Sequence, residues 1–171
     1  TASGLSAVGS LVFHQDVANV ADAAESSDQF GFALATLDMN GDGFDDLAIG
    51  VPGEDNLGSE IDGRGAVQLV FGNVSGLATP NNFLRTESGF NGNSVLGDRF
   101  GSSLAAGDFD GDGFDDLAAG VPFEEVGAGA NAGQVLAIYG RAAAPFFDFG
   151  RTQFWSAEAI HFPGASEAND G

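Results

Sequence analysis

The chain contains no cysteine, so neither a disulfide framework nor a thiolate zinc site is available to it. That does not exclude secretion, because a bound metal can staple a fold instead. Only 5 of its 171 residues are Lys or Arg, against 25 Asp or Glu, giving a formal charge of −20. Nucleic acid, whose phosphates require a basic surface, is therefore excluded as a partner, and so is docking on anionic lipid. No apolar run reaches the ~18 residues of a membrane-spanning helix, so no membrane insertion is expected. The opening TASGLSAVGS lacks an initiator Met, a basic segment and an apolar leader, which suggests a processed or excised piece. Disorder is not expected, since 43% of the residues are hydrophobic and 16 are Phe. The acidic excess leaves open a solvated surface, bound cations, a saline milieu or a cationic partner.

What is present is a repeat. FGFALATLDMNGDGFDDLAIGVPGED, from Phe30, aligns without gaps on FGSSLAAGDFDGDGFDDLAAGVPFEE, from Phe100, at a constant offset of 70 residues. GAVQLVFG (Gly65 to Gly72) then matches GQVLAIYG (Gly133 to Gly140), and FLRTES (Phe83 to Ser88) is echoed by QFWSAE (Gln153 to Glu158) and, earlier, by LVFHQD (Leu11 to Asp16). Each unit offers about four short apolar runs bounded by Gly, Asp, Asn and Pro. Strands are expected near Leu11–Gln15, Phe30–Leu37, Asp46–Val51, Ala66–Phe71, Phe83–Thr86, Phe100–Gly107, Asp116–Val121, Val135–Tyr139 and Gln153–Ser156. The segment Asp16–Glu25 has room for a turn or two of helix. Four short strands per repeated unit is the pattern of propeller blades. The expected fold is all-β, antiparallel, about two blades plus one extra strand. The corresponding division is 1–29 (an outer strand of a preceding blade and a linker), 30–99 (blade one) and 100–171 (blade two).

Each unit carries an acidic loop. Counting from Asp38, side-chain oxygens fall at positions 1, 3, 5 and 9: Asp38, Asn40, Asp42 and Asp46. The second loop supplies Asp108, Asp110, Asp112 and Asp116. Glycine at position 6 permits a sharp turn, and the residue at position 7 can offer its carbonyl, adding Phe44 and Phe114 as backbone ligands. All donors are hard oxygens, which suit Ca²⁺ better than zinc or copper, and Mg²⁺ less well because it resists dehydration. Two Ca²⁺ sites are expected. The loops begin like an EF-hand but hold Ile49 and Ala119 where that loop needs a bidentate Glu, and buried strands replace the flanking helices. The alternative is an Asp/Asn/Gly turn without metal, made less attractive by two copies in register. Asp45 and Asp115, at position 8, are expected to point away from the ion.

Phe30-Gly31, the loop Asp38–Asp46 and Gly50-Val51-Pro52, recurring at Phe100-Gly101, Asp108–Asp116 and Gly120-Val121-Pro122, resemble the FG-GAP repeat. That is the blade unit of integrin α-subunit propellers and of many bacterial secreted repeat proteins. The resemblance implies a calcium loop between the first and second strands of each blade, with the ligands named above. Asn40 replaces the commoner Asp and removes one charge. Val51 and Val121 replace the Ala of Gly-Ala-Pro, a mild apolar change. Family propellers close with about seven blades, whereas two blades leave apolar faces open. Further blades of the same chain, a ring of copies or an open filament would each cover them.

No nucleophile elbow, zinc-protease motif or phosphate loop is present. His14 and His161 are expected at the surface. Phe154 and Trp155 suit a blade core better than a sugar platform. Asn73-Val74-Ser75 is a sequon. The loops Glu54–Gly65 and Glu124–Gly133 vary most, and a protein or glycan ligand is expected to bind there if anywhere. The leading expectation is a calcium-binding, non-enzymatic structural or adhesion module, extracellular or on the cell surface, assembling through blade-to-blade contacts. The alternative is a ligand-binding segment of a larger secreted protein with an enzymatic domain elsewhere. Weakest is a hydrolase or lyase using acids such as Glu54 or Glu124.

Overall fold

The computed structural model describes residues 12–17, 20, 22–55, 63–90, 92, 94–126, 131–144 and 146–156. They form two four-stranded antiparallel meanders and no α-helix. The first contains β1 (Ala33–Leu37), β2 (Asp46–Val51), β3 (Ala66–Phe71) and β4 (Ala78–Thr86), followed by a 3₁₀ turn over Glu87–Phe90. The second contains β5 (Ser103–Gly107), β6 (Asp116–Val121), β7 (Gln134–Ile138) and β8 (Gln153–Ser156). The registers repeat as well: Ala35 faces Ala48 and Ala105 faces Ala118. The expected all-β, blade-like architecture is what the chain adopts, and the two sheets do not close into a ring by themselves.

Several boundaries differ from the expectation, each for a local reason. Phe30 to Phe32 and Gly101 to Ser102 precede their strands as turns, while Phe100 forms an isolated parallel bridge to Gly65. Gln29 and Arg99 take positive φ angles of 60° and 59°, and the Phe32 and Ser102 N–H groups donate back to the Gln29 and Arg99 carbonyls. The Phe-Gly pair is thus the corner that launches the inner strand. β4 begins at Ala78, five residues early, across an irregularity between Leu69 and Phe71. Within Leu11–Gln15, Leu11 lies outside the described residues and 12–15 form no strand. A strand exists only through its ladder, and no described segment pairs there. Among the described residues of Asp16–Glu25 no helix is present: Val17 N–H donates to the His14 carbonyl and Val20 N–H to the Val17 carbonyl, and Asp22 adopts a φ of 71°.

The core lies between the sheets. Ala48 and Leu69 of the first sheet pack with Leu117, Ala119, Leu136 and Ile138 of the second. Phe154 joins this core from β8, as expected of it, but Trp155 on the opposite face is 47% exposed. The β7–β8 connection adds a contact the repeat did not foreshadow. Its Phe147 is fully buried, edge-on to Phe90 at 5.3 Å and to Phe83 at 6.4 Å between ring centres. Phe146 tilts against Phe71 at 5.0 Å. A loop of blade two therefore clamps the outer strands of blade one, and aromatic pairs of this geometry contribute beyond their area. Phe147→Ala should destabilise the chain by about 3–5 kcal/mol in urea unfolding. Val74→Ala, on a side chain that is 86% exposed, should stay within about 0.5 kcal/mol.

Candidate metal centres

Each acidic loop sits at one end of its sheet, between the first two strands: Asp38 to Asp45 connects β1 to β2, and Asp108 to Asp115 connects β5 to β6. The loops curl because their carboxylates bind their own backbone. Asp38 accepts from the N–H groups of Asp42 (3.0 Å) and Gly43 (2.9 Å). Asp108 accepts from Gly111 (2.7 Å), Asp112 (3.1 Å) and Gly113 (3.0 Å). Asn40 and Asp110 accept from Asp42 and Asp112, and these in turn accept from the N–H groups of Phe44 and Phe114. The position-6 glycines have φ angles of +85° (Gly43) and +91° (Gly113), a region that disfavours other residues.

Position 9 is different in kind. Asp46 and Asp116 are buried at the first residue of a strand. Asp46 accepts from Met39 N–H (3.3 Å) and Gly72 N–H (2.9 Å). Asp116 accepts from Phe109 N–H (2.8 Å) and Gly140 N–H (2.9 Å). This carboxylate ties its loop to the end of β3 or β7. Burial pushes the Asp46 carboxyl up to about 6, with Asp42 and Asp38 adding to the rise and the two N–H donors opposing it. Asp116 shifts upward for the same leading reason.

The fold curls the expected side chains of each loop onto their own backbone. In the second, oxygens of Asp108, Asp110 and Asp116 all lie within 4.8 Å of one another. An all-oxygen donor set of this compactness fits a hard dication. Phe44 and Phe114 engage the loop through their N–H groups. Three features escaped the sequence reading. Asp115 does point out of its own loop, but it accepts from Asp38 N–H at 2.8 Å, while its own N–H donates to the Asp38 carbonyl. The two loops are thereby hydrogen-bonded to each other. The Phe114 ring lies against Gly41 of the first loop. Arg151 pairs with Asp110, stands 3.7 Å from Asp112 and stacks over Tyr139 at 4.6 Å, partly balancing the second loop. Its only sequence signal is one of very few basic residues lying in a connection. Asp45 is exposed, as is His14; His161 lies outside the described residues. The sequon residue Asn73 closes a turn, accepting from Ser75 N–H.

Repeated four-stranded meanders, each with an acidic loop between its first two strands, define a class of propeller-blade proteins. The FG-GAP repeat model matches residues 30–70 and 100–138, so the chain carries two FG-GAP repeats. It is 38% identical over 112 residues to mouse phosphatidylinositol-glycan-specific phospholipase D, covering 66% of this chain and 13% of that protein. It is 36% identical over 124 residues to Drosophila integrin alpha-PS2, covering 68% and 8%. With Xenopus laevis integrin alpha-5 the identity is 38% over 118 residues, covering 66% and 10%. The chain thus spans about a tenth of the length of these relatives.

The Asp46 shift has a direct consequence. A carboxyl raised from 3.8 to about 6 on folding contributes stability while it is protonated, and loses it as pH rises through the folded value. In chelator, the urea midpoint should therefore fall between about pH 4 and pH 6. Asp46→Asn should lower the midpoint overall but flatten that segment of the profile.

Proposed function

We propose that this chain is a calcium-stabilised, non-enzymatic propeller segment of an extracellular or cell-surface adhesion-type protein, completed by further blades or further copies. The observation carrying this reading is one repeat position in two environments. Val67 of β3 is 2% exposed where blade two covers it, while its counterpart Val135 of β7 is 42% exposed. Arg85 and Trp155 are likewise counterparts, paired across the ladder with Val67 and Val135. At the other end Leu34 is 60% exposed, whereas its counterpart Leu104 packs on the interblade core. Apolar positions that one blade buries and the next leaves open are how a repeat array propagates. The loops follow the same rule: Asp115 and the Phe114 ring reach the preceding loop, and Asp45 and Phe44 are their exposed equivalents.

Calcium at the two loops neutralises Asp38, Asp42 and Asp46 in one and Asp108, Asp110, Asp112 and Asp116 in the other, so that neighbouring loops can lie in contact. Modules of this kind suit the millimolar calcium outside cells, with affinities on the order of 10⁻⁴ to 10⁻³ M. Similarity to integrin alpha chains supports the adhesion reading. A second reading, a ligand-binding segment of a larger secreted enzyme, is favoured by the match to the phospholipase D. The flanking coding sequence separates them: an adjoining catalytic domain supports the second reading, and blades alone support the first.

Self-association tests the open faces. In sedimentation velocity with calcium, the 171-residue chain should form oligomers through its end faces. Trp155→Glu and Leu34→Glu should each shift it towards monomer. A monodisperse monomer unchanged by either substitution contradicts the reading.

A further inference from the structure

A second group of carboxylates lies at the opposite end of the sheets from the acidic loops. Glu87 opens the 3₁₀ turn after β4, Asp98 precedes the Phe100 corner, and Glu124 follows β6. Glu87 belongs to the first blade and Glu124 to the second, so the group spans the seam. All three are buried, at 0%, 1% and 5% exposure, and one oxygen from each lies within 4.8 Å of the others.

Their hydrogen bonds are incomplete. Glu87 Oε1 accepts from Gln134 Nε2 at 2.9 Å, and Asp98 Oδ2 accepts from Val95 N–H. Glu87 Oε2 and Glu124 Oε2, both fully enclosed, have no hydrogen-bond donor. Buried carboxylate oxygens without donors are costly and need a cation or a proton. The Glu87 side chain is packed beneath Gly92, where a Cβ would come within 2.4 Å of its Cγ and 2.5 Å of Oε1, so it is held in place. Asp98 also feels the Arg64 guanidinium, while Glu125 adds negative charge near both Asp98 and Glu124.

The preceding repeat supplies a contrast. Glu54 and Asp28 are the counterparts of Glu124 and Asp98, and Gln15 stands in the place of Glu87. Gln15 Nε2 donates to Glu54 Oε2 at 2.6 Å. Glu54 Oε1 remains without a donor, and there it is Asp22 and Glu25, both exposed, that approach Glu54. At the second seam the position of Gln15 supplies a third carboxylate.

We infer that Glu87, Asp98 and Glu124 form a buried site for a divalent hard cation, with Ca²⁺ as the committed occupant, that ties blade one to blade two independently of the acidic loops. Three carboxylates supply enough oxygen for the core of a calcium shell, with water completing it. The ion removes most of a triple negative charge that burial makes unfavourable. Desolvation already drives Glu87 up to about 8 and Glu124 to about 7, so a proton is the competitor the experiment has to separate from the ion.

Calcium titration calorimetry on the full chain is the test, with bound ions counted per chain. Glu87→Gln with Glu124→Gln should lose one ion and leave the loop sites. Asp42→Ala with Asp112→Ala, which disables the loops, should retain one ion that the Gln pair then abolishes. If the loops bind no calcium, the wild-type chain still binds one ion, lost with the Gln pair, and only the proposed function fails. If the Gln pair does not fold, the loop-disabled chain decides alone: one bound ion supports the site, and none overturns it. The site is also overturned if the Gln pair leaves the ion count unchanged and stabilises the chain equally in calcium and in chelator. That outcome identifies a proton-sharing carboxyl cluster.

Discussion

The constraint on which the rest depends is the buried carboxylate at loop position 9. Asp46 and Asp116 each sit at the first residue of a strand and bind two backbone N–H groups, one in their own loop and one at the far end of the third strand. That single group fixes where the loop ends, where β2 or β6 begins, and how the β3–β4 or β7–β8 connection approaches. An ionised carboxylate is costly there because it is out of water, even with two N–H donors. A dication bound by the same oxygens converts that cost into attraction. Under the proposed function, metal, loop and strand register are one energetic problem rather than three.

The interblade seam extends this logic. Asp115 accepts from Asp38 N–H and Phe114 covers Gly41, so ordering one loop helps order the next. Between the sheets, Leu69 and Phe83 meet Leu117, Leu136 and Phe147. The Glu87, Asp98 and Glu124 group lies at the other end. A blade is thus held to its neighbour by carboxylates at both ends and by apolar packing in the middle. Under the proposed function, the charged ends make the apolar packing conditional on ions and pH.

Much of this was legible in the sequence because the chain is written twice. The strands β2, β3, β6 and β8 fall at the expected residues, since an apolar run bounded by an acidic loop and a glycine corner has one reading when it recurs in register. The contents of both acidic loops were legible for the same reason. What the repeat does not contain could not be read from it. Phe147 lies in a connection with no equivalent in blade one, and its burial depends on Phe83 and Phe90 arriving from elsewhere. The sequence places Asp115 outward, but its acceptor role needs the adjacent blade. The Phe-Gly pair reads as strand because Phe30 and Phe100 are apolar, but the positive φ at the preceding Gln29 and Arg99 turns it into a corner. Glu87, Asp98 and Glu124 are separated in sequence, and only the blade topology makes them neighbours.

Under the proposed function, calcium bound at the acidic loops holds the blades in register. Differential scanning calorimetry of the full chain at neutral pH tests it, in excess calcium and in excess chelator. Asp38→Asn with Asp108→Asn serves as the comparison. The wild-type chain should show a higher transition temperature in calcium, reversed by chelator and largely absent from the double variant. A wild-type transition that calcium and chelator leave at the same temperature contradicts it.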